Sequence, residues 1–303
     1  MNILQKRCQI KLPRRLTIYY NYKDMSHYCP VCTSDTVITL GKVKQEEILL
    51  CIYCGLAFID SKKYTYRHED WYGWLDFSEE YANKYLKHEK GYYLRQLKIL
   101  SSLVSDRHIL DIGAGMGVFA RVATENGWSV TCTDINSKAV EFGNRVYNLT
   151  YKELEDVAFN SKDAIRISHV LEHIPEPGTF LLRIKNILKN GGVCVIMVPH
   201  YEPLSCVIKN IILNLVPGEH DFRGQIYPPV HILGFTPLSL KKMLESVGLI
   251  PLKIVCVSRG NRVYYPWNWG LTVPSVKEAA SELVNTLGNI FGRGSWIIGY
   301  FRK

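Results

Sequence analysis

The stretch Arg107–Ala120, RHILDIGAGMGVFA, decides the fold. His108–Ile112 is a short apolar run that reads as a buried strand. Gly113, Gly115 and Gly117 follow, and a helix opens at Val118. Three positions without side chains let the backbone bend sharply and let a ligand approach it closely. Asp111 sits at the end of the strand, and open α/β sheets bind their ligands beyond the carboxyl ends of their strands. A plain strand–helix turn has no need of three alternating glycines.

Two ligand classes suit such a turn. A dinucleotide site asks for G-x-G-x-x-G with pyrophosphate at the helix N-terminus. Here the third glycine comes one residue early, at Gly117, and Val118 holds the dinucleotide position. Asp111 would repel pyrophosphate and welcome a cationic amino-acid group. The segment resembles the first motif of class I S-adenosylmethionine-dependent methyltransferases, and a dehydrogenase is the weaker reading. The resemblance implies a Rossmann-like α/β fold: a seven-stranded, mostly parallel sheet with helices on both faces. It also implies S-adenosylmethionine as methyl donor, held by Asp111, Gly113, Ala114, Gly115 and Gly117.

Downstream, Trp128–Thr133 reads as a second strand ending at Asp134. An acid about 20 residues beyond the glycines hydrogen-bonds ribose hydroxyls. Ile135 is expected to cover adenine, and Asn136 or Ser137 to cap a helix over Lys138–Tyr147. Leu149–Lys152 is expected to form a third strand. The resemblance then puts the Glu153 carboxylate and the Leu154 backbone N–H at the adenine edge. After the strand Ala164–Ser168 comes SHVLEHIPEP, Ser168–Pro177, close to a signature of the type 23-like methyltransferase subfamily. It implies that His169 lines the methionine pocket. A helix over Thr179–Leu188, a turn at Asn190–Gly192 and a buried strand over Val193–Val198 follow, then a helix over Leu238–Val247. Pro251–Val257 and Trp296–Phe301 complete the sheet. The family likeness runs over residues 107–250.

Upstream, Cys29-Pro-Val-Cys32 and Cys51-Ile-Tyr-Cys54-Gly55 form two C-x-x-C knuckles. Four thiolates so spaced suit tetrahedral Zn2+, so Cys29, Cys32, Cys51 and Cys54 read as a structural zinc ribbon. Strands are expected at Val37–Leu40 and Glu47–Cys51 around a turn at Gly41–Lys42. Two disulfides are the alternative, disfavoured in a cytoplasmic chain. No apolar run reaches the length of a membrane span, and the N-terminus has no apolar core of a secretory signal.

The chain is expected to divide into a basic arm (1–25), the ribbon (26–60), an aromatic and helical connector (61–106) and the methyltransferase domain (107–303). That domain would carry a lid at 200–232 and an insertion at 258–295. In the connector, Leu94, Leu97, Leu100, Leu103 and Val104 recur at helical spacing. The net charge of +9 is uneven: Lys6, Arg7, Lys11, Arg14, Arg15 and Lys23 fall in a segment free of acids. Such an arm can touch nucleic acid or anionic lipid.

Methyl transfer from a sulfonium is an in-line displacement, so holding donor and acceptor in near-attack geometry supplies most of the catalysis. An oxygen acceptor must also lose a proton, most often to His or a carboxylate. His231 and His200, flanking the lid, are the first candidates for that role, and His173 the next. The favoured acceptor is a hydroxyl of a glycan, lipid-linked precursor or small metabolite. An RNA acceptor, read through ribbon and arm, is the alternative, and an inactive interaction module is a third reading. The lid helix Leu204–Leu215 carries an apolar face that either packs on the core or meets an apolar acceptor or a membrane surface.

Overall fold

The computed structural model describes residues 28–43, 46–59, 76–215, 224–226, 230–258 and 276–303. The basic arm, Tyr64–Trp74 of the aromatic connector, and His220 and Asp221 of the lid lie outside these residues.

In chain order the elements are β1 (Val37–Val43), β2 (Glu46–Cys51), β3 (Ala57–Phe58), α1 (Glu79–Leu103), β4 (His108–Ile112), α2 (Val118–Glu125), β5 (Ser129–Thr133) and α3 (Ser137–Tyr147). There follow β6 (Lys162–Ser168), α4 (Pro177–Ile187), β7 (Leu188–Pro199), α5 (Leu204–Asn214), β8 (Leu233–Gly234), α6 (Pro237–Ser246), β9 (Ile250–Val257), α7 (Val276–Ile290) and β10 (Trp296–Arg302). Among the described residues the main sheet has six strands in the order β5-β4-β6-β7-β10-β9. β5, β4, β6 and β7 pair in parallel, while β10 runs antiparallel to both β7 and β9.

Strand alternation builds two cores. Val193, Val195 and Met197 of β7 face α1 and α2 with Ile298 and Tyr300 of β10. Cys194, Ile196 and Val198 face the other way, toward α4, α6 and the cysteine ribbon. α1 starts at the N-cap Ser78, whose side chain accepts from the Tyr81 amide at 3.1 Å. Its inner face is Tyr93, Leu97 and Leu100, while Leu94 of the expected stripe is exposed. Asn136 caps α3, and Thr236 with Ser239 forms a capping box on α6.

The sheet differs from the expected seven strands. Tyr151 makes a single parallel bridge to Cys132. Two hydrogen bonds hold it, Cys132 N to Thr150 O and Lys152 N to Cys132 O, both 2.9 Å. A 3₁₀ turn at Leu154–Asp156 then ends the pairing. Asn190–Gly192 is no separate turn either: it lies within β7, where Gly191 takes a left-handed φ of 78° and the register slips against β6.

The ribbon is stitched to the sheet domain. β1, β2 and β3 are joined by β8, which follows the 200–232 segment. The Ile59 amide donates to Ile232 O at 3.1 Å, and Lys242 Nζ to Tyr53 O at 3.0 Å. Gly41 and Lys42 are not the hairpin turn: β1 pairs with β2 through Val43, with a slip between Thr39 and Gly41.

Candidate active site

The glycine loop joins β4 to α2. Gly113 has a φ of 69°, and a Cβ there would meet Val170 Cγ2 at 2.3 Å. Gly117 has a φ of 79°, and its Cβ would meet Leu149 Cδ1 at 2.1 Å. Gly115 is left-handed too, but a Cβ there would touch nothing within 4 Å. Two of the glycines therefore serve close packing, and the middle one borders open space.

The loop's amides are already used. Those of Gly113 and Ala114 donate to Thr133 O at 2.9 and 3.1 Å, and that of Gly117 to Ala114 O at 2.9 Å. The Gly115 amide donates to Asp134 Oδ2 at 2.6 Å. A pyrophosphate cradle needs N–H groups directed at the ligand, and these four are turned to the protein instead. Tyr151 passes over Gly143, where a Cβ would meet its hydroxyl at 2.4 Å, and donates to Gly115 O at 2.7 Å.

Asp134 stands at the end of β5. Its Oδ1 accepts from the Asn136 amide at 2.8 Å while Oδ2 holds Gly115. Burial pushes its carboxyl up, and these backbone donors pull it back. Each oxygen keeps a further lone pair for a ligand hydroxyl. Asp134, Tyr151, Glu153 and Asp156 line a cleft of about 440 Å³, and Ile135 beside it is 65% exposed. Leu154 does not line this cleft: its side chain packs on the core, and its carbonyl accepts from Arg183 at 2.7 Å. Asp156 is the lining residue from that turn. A cleft of about 480 Å³ elsewhere is walled by Glu79, Arg121 and Tyr147 of the helices, not by strand ends.

Asp111 departs from expectation. It is fully buried, on the face of β4 that meets α1 and α2, directly across from Arg166 on β6. Its Oδ1 accepts from Arg166 Nη1 at 2.7 Å. Arg166 also donates to Gln96 Oε1 at 3.1 Å and lies 4.3 Å from the Phe119 ring centroid. Burial pushes the Asp111 carboxyl up, against the pull of Arg166. The carboxylate therefore neutralises an internal cation, where a cationic ligand group was expected. Oδ2 has no hydrogen-bond partner among the described residues. Arg166, a charged residue amid the apolar run Ala164–Ser168, was the missed signal of that pairing.

The SHVLEH run leaves β6 with a sharp bend. His169 has a left-handed φ of 56°, a strained value for a residue with a side chain. Its amide donates to Met197 O at 3.0 Å and its ring meets Trp296 edge-on at 4.1 Å. Val170 then lies against Gly113, and a 3₁₀ turn carries Glu172 and His173. His169 Nδ1 is 3.2 Å from Glu172 Oε1, so the ring orients that carboxylate.

His231 returns from the lid to this turn. The ring centroids of His173 and His231 are 4.9 Å apart, and the Ile232 amide donates to Glu172 O at 3.0 Å. His173 Nδ1 lies 2.8 Å from Val230 O, and His231 Nδ1 3.1 Å from Gln225 O. A carbonyl only accepts, so Nδ1 carries the hydrogen in both rings and Nε2 is the lone-pair nitrogen. Burial lowers the pKa of both imidazoles, with Glu172 pulling the other way. Burial raises that of Glu172, which the two histidines oppose.

His200 does not join them. It is buried at the end of β7, with Nδ1 3.0 Å from Gly294 O and its amide bonded to Ser295 O. Burial lowers its pKa to about 4. It reads as a neutral packing residue between β7 and the 293–295 segment. Of the lid helix, Ile211, Ile212 and Leu215 are exposed and Cys206 is buried.

The four ribbon cysteines converge. Cys29 and Cys54 Sγ are 3.5 Å apart, as are those of Cys32 and Cys51, and all four lie within 4.8 Å of one another. Zn–S bonds of about 2.3 Å in a tetrahedron place sulfurs roughly 3.8 Å apart, so the cluster fits zinc. A hydrogen bond from Cys54 holds Cys29 down at about 5 and pushes Cys54 far up. A thiolate is the form that binds metal. All eight cysteines of the described residues carry free thiols.

A family model for a methyltransferase domain matches residues 85–253, more than half of the chain. A ubiquinone biosynthesis O-methyltransferase from Albidiferax ferrireducens is 28% identical over 141 residues, covering 41% of this chain and 56% of that protein. One from Nitrosomonas europaea is 27% identical over 167 residues, covering 50% and 67%. The chain thus spans only part of the length of these curated relatives. Phosphoethanolamine N-methyltransferase 2 of Haemonchus contortus, solved with S-adenosyl-L-methionine, superposes with a TM-score of 0.51 at 18% identity. That superposition covers 79% of this chain and 60% of that one, and it shows a shared fold.

Proposed function

The chain belongs to the methyltransferase domain family of S-adenosylmethionine-dependent enzymes, and on that premise we propose that it methylates a hydroxyl oxygen of a small-molecule acceptor. The observation that carries this reading is the convergence of Glu172, His173 and His231 on a turn that starts beside Gly113. Nitrogen acceptors have a lone pair ready, whereas a hydroxyl needs a group that removes its proton. The O-methylating relatives support the same choice.

When bound, S-adenosylmethionine supplies a methyl group on a positively charged sulfur. Gly115 leaves room for it beside the loop. Asp134 accepts from ribose hydroxyls with the lone pairs not used by Gly115 and Asn136. Ile135 would cover one face of the adenine, and Glu153 and Asp156, which line the cleft, would border its edge. His169 holds Glu172 in place, and the lone-pair nitrogens of His173 and His231 face proton removal from the acceptor. Cys29, Cys32, Cys51 and Cys54 would hold one structural zinc, because four thiolates leave no open position for water.

Free thiols suit a reducing cytoplasm. No helix of the described residues is long and apolar enough to cross a membrane.

The test is a radiolabelled methyl-transfer screen with cell extract separated into polar small molecules, lipids and RNA. Label in a small-molecule fraction, as an ether stable to mild alkali, is expected. Label confined to RNA, or to nitrogen, would overturn the proposal.

A further inference from the structure

We propose that Glu172, His173 and His231 bind a divalent transition-metal cation with an open coordination position for the acceptor oxygen. The inference deepens the hydroxyl-methylation reading and rests on it for the acceptor, though not for the cation.

Three independent features point to a cation. One is convergence: one ligand atom from each residue lies within 4.8 Å of the others, and Glu172 Oε1 is 3.9 Å from His173 Nε2. Metal–ligand bonds of about 2.0–2.2 Å place neighbouring N and O ligands roughly 3.0–3.4 Å apart. Closing the site asks roughly 0.5–0.9 Å of that pair and no more than about 1.8 Å of any other. The second is orientation. Both imidazoles give Nδ1–H to a backbone carbonyl, Val230 and Gln225, which presents Nε2 as the donor nitrogen. Metal-binding histidines are held this way, their outer N–H fixed by a carbonyl or carboxylate.

The third is an unsatisfied charge. Glu172 is fully buried, and among the described residues its ion-pair partners are His169 and His173 and its Oε2 has no hydrogen-bond partner. A buried carboxylate oxygen without a donor is costly. A cation at the convergence point would satisfy it.

The donor set differs from that of the ribbon. Four thiolates close a tetrahedron around a soft-ligand metal, whereas two imidazoles and a carboxylate leave positions open. An acceptor hydroxyl bound there becomes more acidic. With both Nε2 lone pairs on the cation, the proton goes to solvent, and His173 and His231 act through the metal rather than as the base. The oxygen lone pair then forms the O–C bond as the methyl C–S bond breaks, and that electron pair returns to sulfur as a neutral thioether. The positive charge of the sulfonium is thereby discharged.

The test uses the full chain with its ribbon zinc in place, titrated with MnCl2 and followed by calorimetry and by the electron paramagnetic resonance of bound Mn2+. The expected result is one Mn2+ per chain, with affinity lowered roughly tenfold or more in Glu172→Gln and in His231→Ala. Zinc content and melting temperature report whether each variant has folded, and the wild-type stoichiometry stands without them. Absence of Mn2+, Co2+ or a second Zn2+ in the wild type overturns the proposal, as does binding unchanged in both folded variants. Hydroxyl methylation at full rate in metal-stripped buffer, with ribbon zinc retained, overturns the cation and spares the proposed function. One bound Mn2+ in an enzyme that labels only nitrogen or RNA does the reverse.

Discussion

Two clusters of metal-ligating side chains lie in this molecule, and they were built by different means. The ribbon cysteines come in pairs two residues apart, each pair on its own knuckle. The Glu172 cluster takes two neighbours from one 3₁₀ turn and a third residue from the far end of the lid. The first is closed and borders the core that carries β3 and β8. The second borders the glycine loop, where Val170 lies against Gly113, and three ligands leave coordination positions unfilled. Local spacing suffices for a site that only holds the chain together. A site that must admit a ligand draws on segments that the fold alone brings near.

The contrast is broken most forcefully at Cys51. Cys51→Ser removes one of four thiolates and is expected to cost the ribbon its zinc and its fold. Structural zinc contributes roughly 10–16 kcal/mol of apparent binding energy in small zinc domains. Because Leu56, Ala57 and Phe58 share a core with Leu233 and Leu240, the melting temperature of the whole chain should fall with zinc content. A variant that loses zinc yet melts at the wild-type temperature would separate ribbon from core.

His231→Ala should behave oppositely. Methyl transfer is expected to slow by roughly a hundred- to ten-thousand-fold, with zinc content and S-adenosylmethionine affinity almost unchanged. Single-turnover rates alongside donor calorimetry check this. Parallel loss of donor binding and of melting temperature would reassign His231 to packing.

His200 sharpens the distinction between a buried histidine and a working one. Its folded pKa is about 4 against an ordinary 6.5. Between these values the unfolded chain binds the proton and the folded chain does not, so stability rises with pH across that window. On acidification from 7 the contribution is lost below about 6.5 and is gone near 4. It amounts to something on the order of 3 kcal/mol. Urea unfolding at several pH values should show the slope, and His200→Asn should flatten it without changing the rate at neutral pH. The depressed pKa values of His173 and His231 have the same sign for stability. They also favour the neutral rings, so activity is expected to fall on acidification at a pH below the ordinary imidazole value of 6.5.

Asp134→Ala is the mildest of these changes. It removes the acceptor for ribose and for the Gly115 amide, and donor affinity should drop by about 1.5–3 kcal/mol. Calorimetry with S-adenosylmethionine measures it. Unchanged affinity would remove Asp134 from the donor site.

The sequence by itself determined the parts whose geometry is local. The β4 strand, the three glycines, the acid closing β5 and the C-x-x-C pairs were all legible, because each depends on residues a few positions apart. So was the cap of α3. Tertiary structure decided the rest. Asp111 looked like an open ligand-facing acid because strand parity was judged without its neighbour; across the sheet stands Arg166, and the two charges are buried together. In the 3₁₀ turn after Glu153 the Leu154 side chain packs inward while Asp156 joins Glu153 in lining the cleft, a placement that spacing alone does not give. His200 and His231 looked equivalent in sequence, both flanking the lid. The fold buried one at the end of β7 and carried the other back to Glu172. The position of a side chain relative to a residue sixty places away is set by packing of the whole core, and no spacing within one segment encodes it.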